Sequence, residues 1–313
     1  MITKFGKRFL TGHVAGISDF STKDLAIGIG STAATSSDTK LEFEFYRMPV
    51  TLSTIDIQTN ETGSTITARD GVTTIAAGQS IYYAIYKSTI PQDVSGVISE
   101  IGLYPGLRSS FNSYDSKFIT QFDNNLIWSD GTGAPNPLSK SNNTTEPFTA
   151  KIGDTMVGIT SAVSSAKEYK NSLIAYDLTG YSVNDSISIA YKKMDTNVSR
   201  IRLKFYSSAT AYCWIDFTPL SGTGDKIQSL TLNNLYSNVT TPAPDLTSIT
   251  SMGVEVTANS SGSTLVYFDG VRVNDEDTFD PGYGIISRSI LSSPLTKVTG
   301  RPVDIEYKLL LGF

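Results

Sequence analysis

The side chains able to do covalent or metal chemistry are few. His13 is the single histidine and Cys213 the single cysteine in 313 residues. One thiol excludes an intrachain disulfide and any multi-thiolate zinc or iron–sulfur centre, and one imidazole excludes a multi-histidine metal site. A Ser-His-Asp or Cys-His triad needs an imidazole held by a third group beside a nucleophile. Only the near-terminal His13 is on offer, and no triad is expected. Cys213 lies mid-strand among apolar residues and reads as a small buried hydrophobe rather than a reactive thiolate. The 30 Asp and Glu residues include no two that spacing assigns to one cleft, as glycoside hydrolysis requires. No catalytic residue is assigned, and no enzyme is expected.

Contact chemistry is better supplied, with 16 Tyr, 14 Phe and 2 Trp. Carbohydrate binding needs exposed rings with polar neighbours, because sugar faces stack on aromatics while hydroxyls take hydrogen bonds. Tyr169, Tyr176, Tyr181, Tyr212, Trp214 and Tyr236 are available. In Ala211-Tyr212-Cys213-Trp214-Ile215-Asp216-Phe217 a period of two puts Cys213, Ile215 and Phe217 on one face and Tyr212, Trp214 and Asp216 on the other. With the first set as core, Tyr212 and Trp214 are the candidate glycan contacts, or else pack against another sheet or chain.

The elements that must position these rings are strands. Only 18% of residues are charged, the aromatic fraction is 10%, and such a composition suits pleated, half-buried surfaces. Residues 25–29, 41–48, 53–59, 80–89 and 97–104 alternate or run apolar and predict strands. One helix is predicted over residues 2–14 through Phe5, Phe9 and Leu10, against the helix-weakening Gly6 and Gly12. A second run opens at residues 118–128, and 129–146, with Pro135 and Pro137, reads as a loop. Seven further strands are predicted at 173–178, 186–191, 200–206, 211–217, 227–232, 252–257 and 265–273, spaced as in an antiparallel sandwich. Two more follow near 287–292 and 303–311.

Charge divides the chain. Residues 115–279 hold 12 basic and 17 acidic residues, while the remainder holds 13 of each. Two all-β domains are expected: one discontinuous, 1–114 plus 280–313, and one inserted, 115–279. The formal net charge of −5 argues against nucleic acid as a partner, which draws on clustered Lys and Arg. Lys4, Lys7 and Arg8 suit an N-terminal arm reaching a neighbouring subunit. No apolar run of about 18 residues exists, so no membrane span is expected. The first 17 residues lack the apolar core of a secretory signal.

Four segments of the first region form an ordered set: Leu25-Ala26-Ile27-Gly28-Ile29-Gly30, then Asp38-Thr39-Lys40-Leu41, then Glu42-Phe43-Glu44-Phe45-Tyr46-Arg47, then Glu100-Ile101-Gly102-Leu103-Tyr104. The set resembles a pattern in virion proteins of tailed bacteriophages, of the collar, neck, tail-fibre and baseplate-adaptor type. The resemblance implies a structural virion component, assembled in the host cytoplasm, a homo-oligomer whose partners are other virion proteins. It makes Gly28, Gly30, Asp38, Arg47 and Glu100 the assembly residues. In physical terms the glycines permit close backbone approach. Glu44 and Arg47 suit an ion pair, and a buried Glu100 needs a cation such as Arg47.

The second region resembles a different family. Phe122-Asp123-Asn124-Asn125-Leu126-Ile127-Trp128 and Leu265-Val266-Tyr267-Phe268-Asp269-Gly270-Val271-Arg272-Val273 are similar to the first and last strands of galactose-binding-like jelly rolls, a fold that hosts carbohydrate-binding modules. The resemblance implies a jelly-roll β-sandwich whose opening and closing strands pair. It also makes Asp269, with Asp123, the candidate holder of a structural calcium ion; no other cofactor is implied. The runner-up function is therefore adhesion to a host-surface glycan.

Overall fold

The computed structural model describes residues 1–14, 23–69, 73–105, 117–120, 122–132, 136–141, 150–172, 176–274 and 284–312. In chain order the first elements are α1 (Lys4–Val14), β1 (Lys23–Gly28), β2 (Glu44–Thr59), β3 (Ile66–Thr67), β4 (Thr74–Ile75), β5 (Ser80–Ile90) and β6 (Gly96–Pro105). Next come β7 (Lys117–Thr120), β8 (Trp128–Ser129), β9 (Leu138–Ser141), β10 (Thr155–Ser161), β11 (Ala166–Asn171) and β12 (Ser186–Lys193). Then β13 (Val198–Tyr206), β14 (Tyr212–Phe217), β15 (Gly224–Thr231), α2 (Asn233–Ser237), β16 (Ser251–Ala258) and β17 (Thr264–Asn274). The last two are β18 (Ser287–Lys297) and β19 (Val303–Gly312). The protein is all-β, as its alternating pattern predicts. Two compact units make it up: Met1–Val94, Ile98–Ser109 and Thr278–Phe313 form one, Ser95–Val97 and Ser110–Asp277 the other.

The first unit is built on a six-stranded sheet in the order β18-β6-β1-β2-β5-β19, with β3 and β4 as a small second sheet. Leu25-Ala26-Ile27 in β1 and most of β6, apart from Ser99 and Glu100, are apolar without alternation because both strands are buried throughout. β2 merges two predicted strands: residues 44–50 pair with β1 and 51–59 with β5, the latter with a register shift at Leu52 to Thr54. α1 forms where spacing predicts it. Gly6 is there for contact: a Cβ would lie 2.0 Å from the Ile286 carbonyl oxygen. The Gly6 N–H donates to the Thr3 hydroxyl at 2.9 Å, a side-chain cap for the first turn. Met1 and Thr3 bond to the backbone of Arg288 and Ile286, so this segment is held on its own unit instead of extending as an arm.

Asp24 is a polar residue inside β1, only 4% exposed, with Oδ2 lacking a hydrogen-bond partner. Burial, opposed by Arg47 and assisted by Glu44, pushes its carboxyl up to about 6. The folded chain thus keeps this proton to higher pH than an unfolded Asp, which releases it near 3.9. Stability from this group is fully present below about pH 4 and is lost as pH rises through about 6. Asp24→Asn is expected to remove that slope. Its stability relative to wild type, read from denaturant midpoints, grows by about 2 kcal/mol between pH 4 and 6.5 and levels off above about pH 7.

The second unit is a two-sheet antiparallel sandwich. One sheet runs β15-β12-β17-β10-β9, with β7 also on β17; the other runs β14-β13-β16-β11-β8. Between them lie Ile187, Ile189, Phe268 and Val271 with Leu203, Phe205, Cys213, Ile215 and Val254, all buried. Three sequence expectations change here. The segment that pairs with the closing strand β17 is Lys117–Thr120, not 122–128. Residues 122–128 instead form a turn with a short 3-10 helix, Asn125–Ile127, pinned by the Asn124 side chain and by Phe122 stacking on Trp128 at 4.9 Å. Within the expected loop 129–146, Leu138–Ser141 pairs with β10. Residues 173–175 of the predicted strand 173–178 lie outside the described residues, and Tyr176 makes an isolated bridge to Ile249.

Candidate functional site

The outward face of the sheet β14-β13-β16-β11 gathers the chemistry. Register places Tyr206 beside Tyr212, Lys204 beside Trp214 and Arg202 beside Asp216. On the other side of β13, Arg202 faces Glu255 and Lys204 faces Gly253; one strand on, Glu255 faces Glu168 and Gly253 faces Lys170. Antiparallel partners project to the same side, so these residues share one surface. Cys213, Ile215 and Phe217 are fully buried on the opposite side, as the alternation predicts. Burial pushes the Cys213 thiol up to about 12, which leaves it inert.

The rings form a row. Tyr206 and Tyr212 lie 4.7 Å apart between centroids, Tyr212 and Trp214 5.7 Å. Cations brace them: the Arg202 guanidinium sits 5.2 Å from the Trp214 ring, the Lys204 ammonium 5.5 Å from Tyr212, and Lys170 3.9 Å from Tyr206. Tyr212 and Trp214 are half-buried, and Tyr206 is 3% exposed. Of the other candidate rings, Tyr169 and Tyr181 belong to the core, and Tyr176 and Tyr236 pack against it.

Beside the rings lies an ion network. Lys204 reaches Glu168 and Glu255 at 2.7 Å each, Arg200 reaches Glu255 at 2.8 Å, and Arg202 holds both oxygens of Asp216 at 2.6 and 2.8 Å. Burial alone disfavours these charges; the partners more than offset it, holding Lys204 above and Glu255 below their usual ranges. The Tyr206 hydroxyl donates to Glu168 at 2.5 Å, and burial with that carboxylate pushes the phenol far above its usual range. Gly253 makes the crossing possible, since a Cβ there would lie 2.2 Å from Glu168 Oε1 and 3.0 Å from the Tyr206 ring. Gly253→Val is expected to eject the Glu168 carboxylate from Lys204 and Tyr206 at a cost of about 2 kcal/mol. Thermal melting and the near-ultraviolet tyrosine signal check it.

The five residues that the phage-protein resemblance singles out for assembly lie in the first unit, and four of them converge. Glu100 is 0% exposed. It accepts the backbone N–H groups of Gly30, Glu42 and Phe43 at 2.9 to 3.0 Å. A Cβ on Gly28 or Gly30 would lie 2.5 Å from its Oε1, so both glycines make room for the carboxylate. The cation on Glu100 is Arg288, at 2.9 to 3.0 Å, and Arg288 also donates to Asp38 at 2.9 Å. Arg47 is not that partner. It stands across β1 at Ala26 whereas Glu100 stands at Gly28. Arg47 pairs with Glu44 at 2.5 to 2.8 Å and lies over the Tyr104 ring.

Asp123 and Asp269 are near enough for Asp123 to raise the Asp269 pKa, though burial is the main reason that carboxyl sits well above its usual range. Asp269 Oδ2 accepts the N–H groups of Lys151 and Ile152, and Asp123 Oδ1 those of Asp154 and Thr155. Only Asp269 Oδ1 is a buried orphan. Calcium takes six to eight oxygens. Two carboxylates already clamped by backbone amides do not fit that demand, and among the described residues no group of three or more His, Cys, Asp or Glu is placed to hold a metal.

No family model and no curated protein matches the chain. Among solved structures it is similar to CBM28, a non-crystalline cellulose specific carbohydrate-binding module, at 14% identity over 49% of this chain and 92% of that one, TM-score 0.31. It is also similar to the enzymatically active domain of tailspike protein 4 of bacteriophage CBA120, at 13% identity over 49% of this chain and 20% of that one, TM-score 0.30. A third is the glycoside hydrolase domain of Endo-D from Streptococcus pneumoniae R6, at 9% identity over 63% of this chain and 22% of that one, TM-score 0.29. The chain thus spans less than a quarter of the last two. At these scores the likenesses fix neither a ligand nor an activity.

Proposed function

We propose that the second unit is a glycan-binding module and that the outward face of β14-β13-β16-β11 holds the sugar. The observation that carries this is the half-buried pair Tyr212–Trp214, backed by the buried Tyr206, beside a lattice of charged hydrogen-bonding groups on one sheet. Rings take the C–H faces of sugars, the polar groups fix hydroxyls, and a sheet holds both in place. A glycan array probed with the full chain is expected to give selective hits; a blank array overturns the reading.

Binding without turnover is part of the proposal. A glycoside hydrolase needs one carboxyl that keeps its proton. Glu168 and Glu255 stand opposite each other, but Lys204 bridges both and, with Arg200, holds Glu255 below the usual range. Glu168 accepts from Lys204 and Tyr206. Polysaccharide incubated with the chain should release no product.

For the whole chain we keep the role of a structural component of a tailed-phage virion that displays this module. What supports it is the meeting of Gly28, Gly30, Asp38 and Glu100, from separate segments of the phage-like pattern, at one junction. Mass spectrometry of purified particles tests it, and absence of the chain from intact particles overturns it.

A further inference from the structure

We infer that the glycan held by this face is anionic, bearing carboxylate or sulfate groups; the inference rests on the glycan-binding reading above. It comes from which hydrogen-bonding atoms of the face are already engaged. Every carboxylate oxygen there accepts a bond from a neighbour. Glu168 takes Tyr206 on Oε1 and Lys204 on Oε2, Glu255 takes Arg200 on Oε1 and Lys204 on Oε2, and Asp216 takes Arg202 on both. Donors are in surplus. Among the described residues Lys170 makes no ion pair, its ammonium resting 3.9 Å from the Tyr206 ring centroid. Arg200 Nε makes no hydrogen bond but is buried 3.8 Å from Asp216 Oδ1, so Lys170 is the surplus donor within a ligand's reach. Sugar hydroxyls donate as well as accept, whereas ionised carboxylate and sulfate oxygens only accept. The surface matches the second kind of group.

Charge points the same way. Residues 115–279 carry 12 basic and 17 acidic side chains, yet this face sets four cations (Lys170, Arg200, Arg202, Lys204) against three anions (Glu168, Asp216, Glu255). A cationic patch on an acidic module steers anions to that patch. Lys170 and Trp214 end one row across four strands, with Lys204 and Gly253 between them. Strand spacing puts their backbones roughly 14 Å apart. A chain stacked on Tyr212 and Trp214 and running across the strands brings its acidic groups to Lys170.

Paired probes test this on the full chain by calorimetry: an oligogalacturonate and its carboxyl-reduced form, and a sulfated galactan oligosaccharide and its desulfated form. At least one charged probe should bind about tenfold more tightly than its neutral counterpart. That preference should shrink as salt is raised. Lys170→Gln should erase it and Lys170→Arg preserve it. The pair that shows the preference tells carboxylate from sulfate. Equal binding of charged and neutral forms, or binding of neutral forms alone, overturns the anionic assignment and leaves the glycan reading standing. No binding by any of the four together with a blank array overturns both.

Discussion

Trp214→Ala is expected to remove measurable glycan binding while leaving the chain folded, and Tyr212→Ala to weaken binding by tenfold or more. Both rings project from β14 on the side away from the core, half-buried and 5.7 Å apart. Truncating a central aromatic anchor costs about 2 kcal/mol or more of binding energy. Folding should survive because the residues that tie β14 to the core, Cys213, Ile215 and Phe217, are untouched and fully buried. The substitution also frees Arg202 from its ring, but Asp216 still holds that guanidinium at two points. Calorimetry reads affinity, and near-ultraviolet circular dichroism checks the fold. The second tryptophan, Trp128, is 0% exposed in the core, so ligand-induced fluorescence change in the wild type should come from Trp214 and vanish in the variant. Wild-type affinity in Trp214→Ala, with an intact fold, would place the sugar elsewhere.

How much of this could be read from the sequence depends on the range of the interaction. The period of two in residues 211–217 sufficed to sort Tyr212 and Trp214 from Cys213 and Ile215, because strand alternation is local. β11 escaped notice. Ala166-Lys167-Glu168-Tyr169-Lys170-Asn171 buries Tyr169 on the core side, but Lys167 and Asn171 share that side, so no apolar alternation marks the strand. With β11 went Glu168 and Lys170, whose role depends on lying beside β16, far along the chain. Tyr206 fell inside a predicted strand, and one signal could have singled it out: it continues the outward series Arg200, Arg202, Lys204. The need for a cation at buried Glu100 was legible, but its identity was not. Arg47 stood in the same motif while Arg288 comes from a strand 188 residues away. A lone arginine in the otherwise uncharged run 285–296 was the available clue.

Arg288→Met is expected to cost about 3–5 kcal/mol at pH 7.5, the largest stability loss of any single substitution proposed for this chain. Glu100 is wholly buried, and burial raises its pKa while Arg288 and three backbone N–H groups pull it back. Removing the guanidinium leaves a carboxylate with amide donors alone in a low-dielectric interior, and it strips Asp38 of the same cation. Methionine fills most of the arginine's length, so the deficit is electrostatic rather than a cavity. Glu100→Gln should be milder yet still harmful. One amide oxygen replaces two acceptors, and the new NH2 group faces donors from Gly30, Glu42, Phe43 or Arg288. The pH dependence separates charge from packing. Without Arg288 the folded pKa of Glu100 climbs further above its unfolded value, so the variant keeps stability at low pH and loses it as pH rises through that raised pKa. Denaturant unfolding should therefore show a deficit several-fold smaller at pH 4 than at pH 7.5. A deficit that does not change between those two pH values would mean that the arginine acts by filling space, and that the junction of Gly28, Gly30, Asp38 and Glu100 does not depend on its charge.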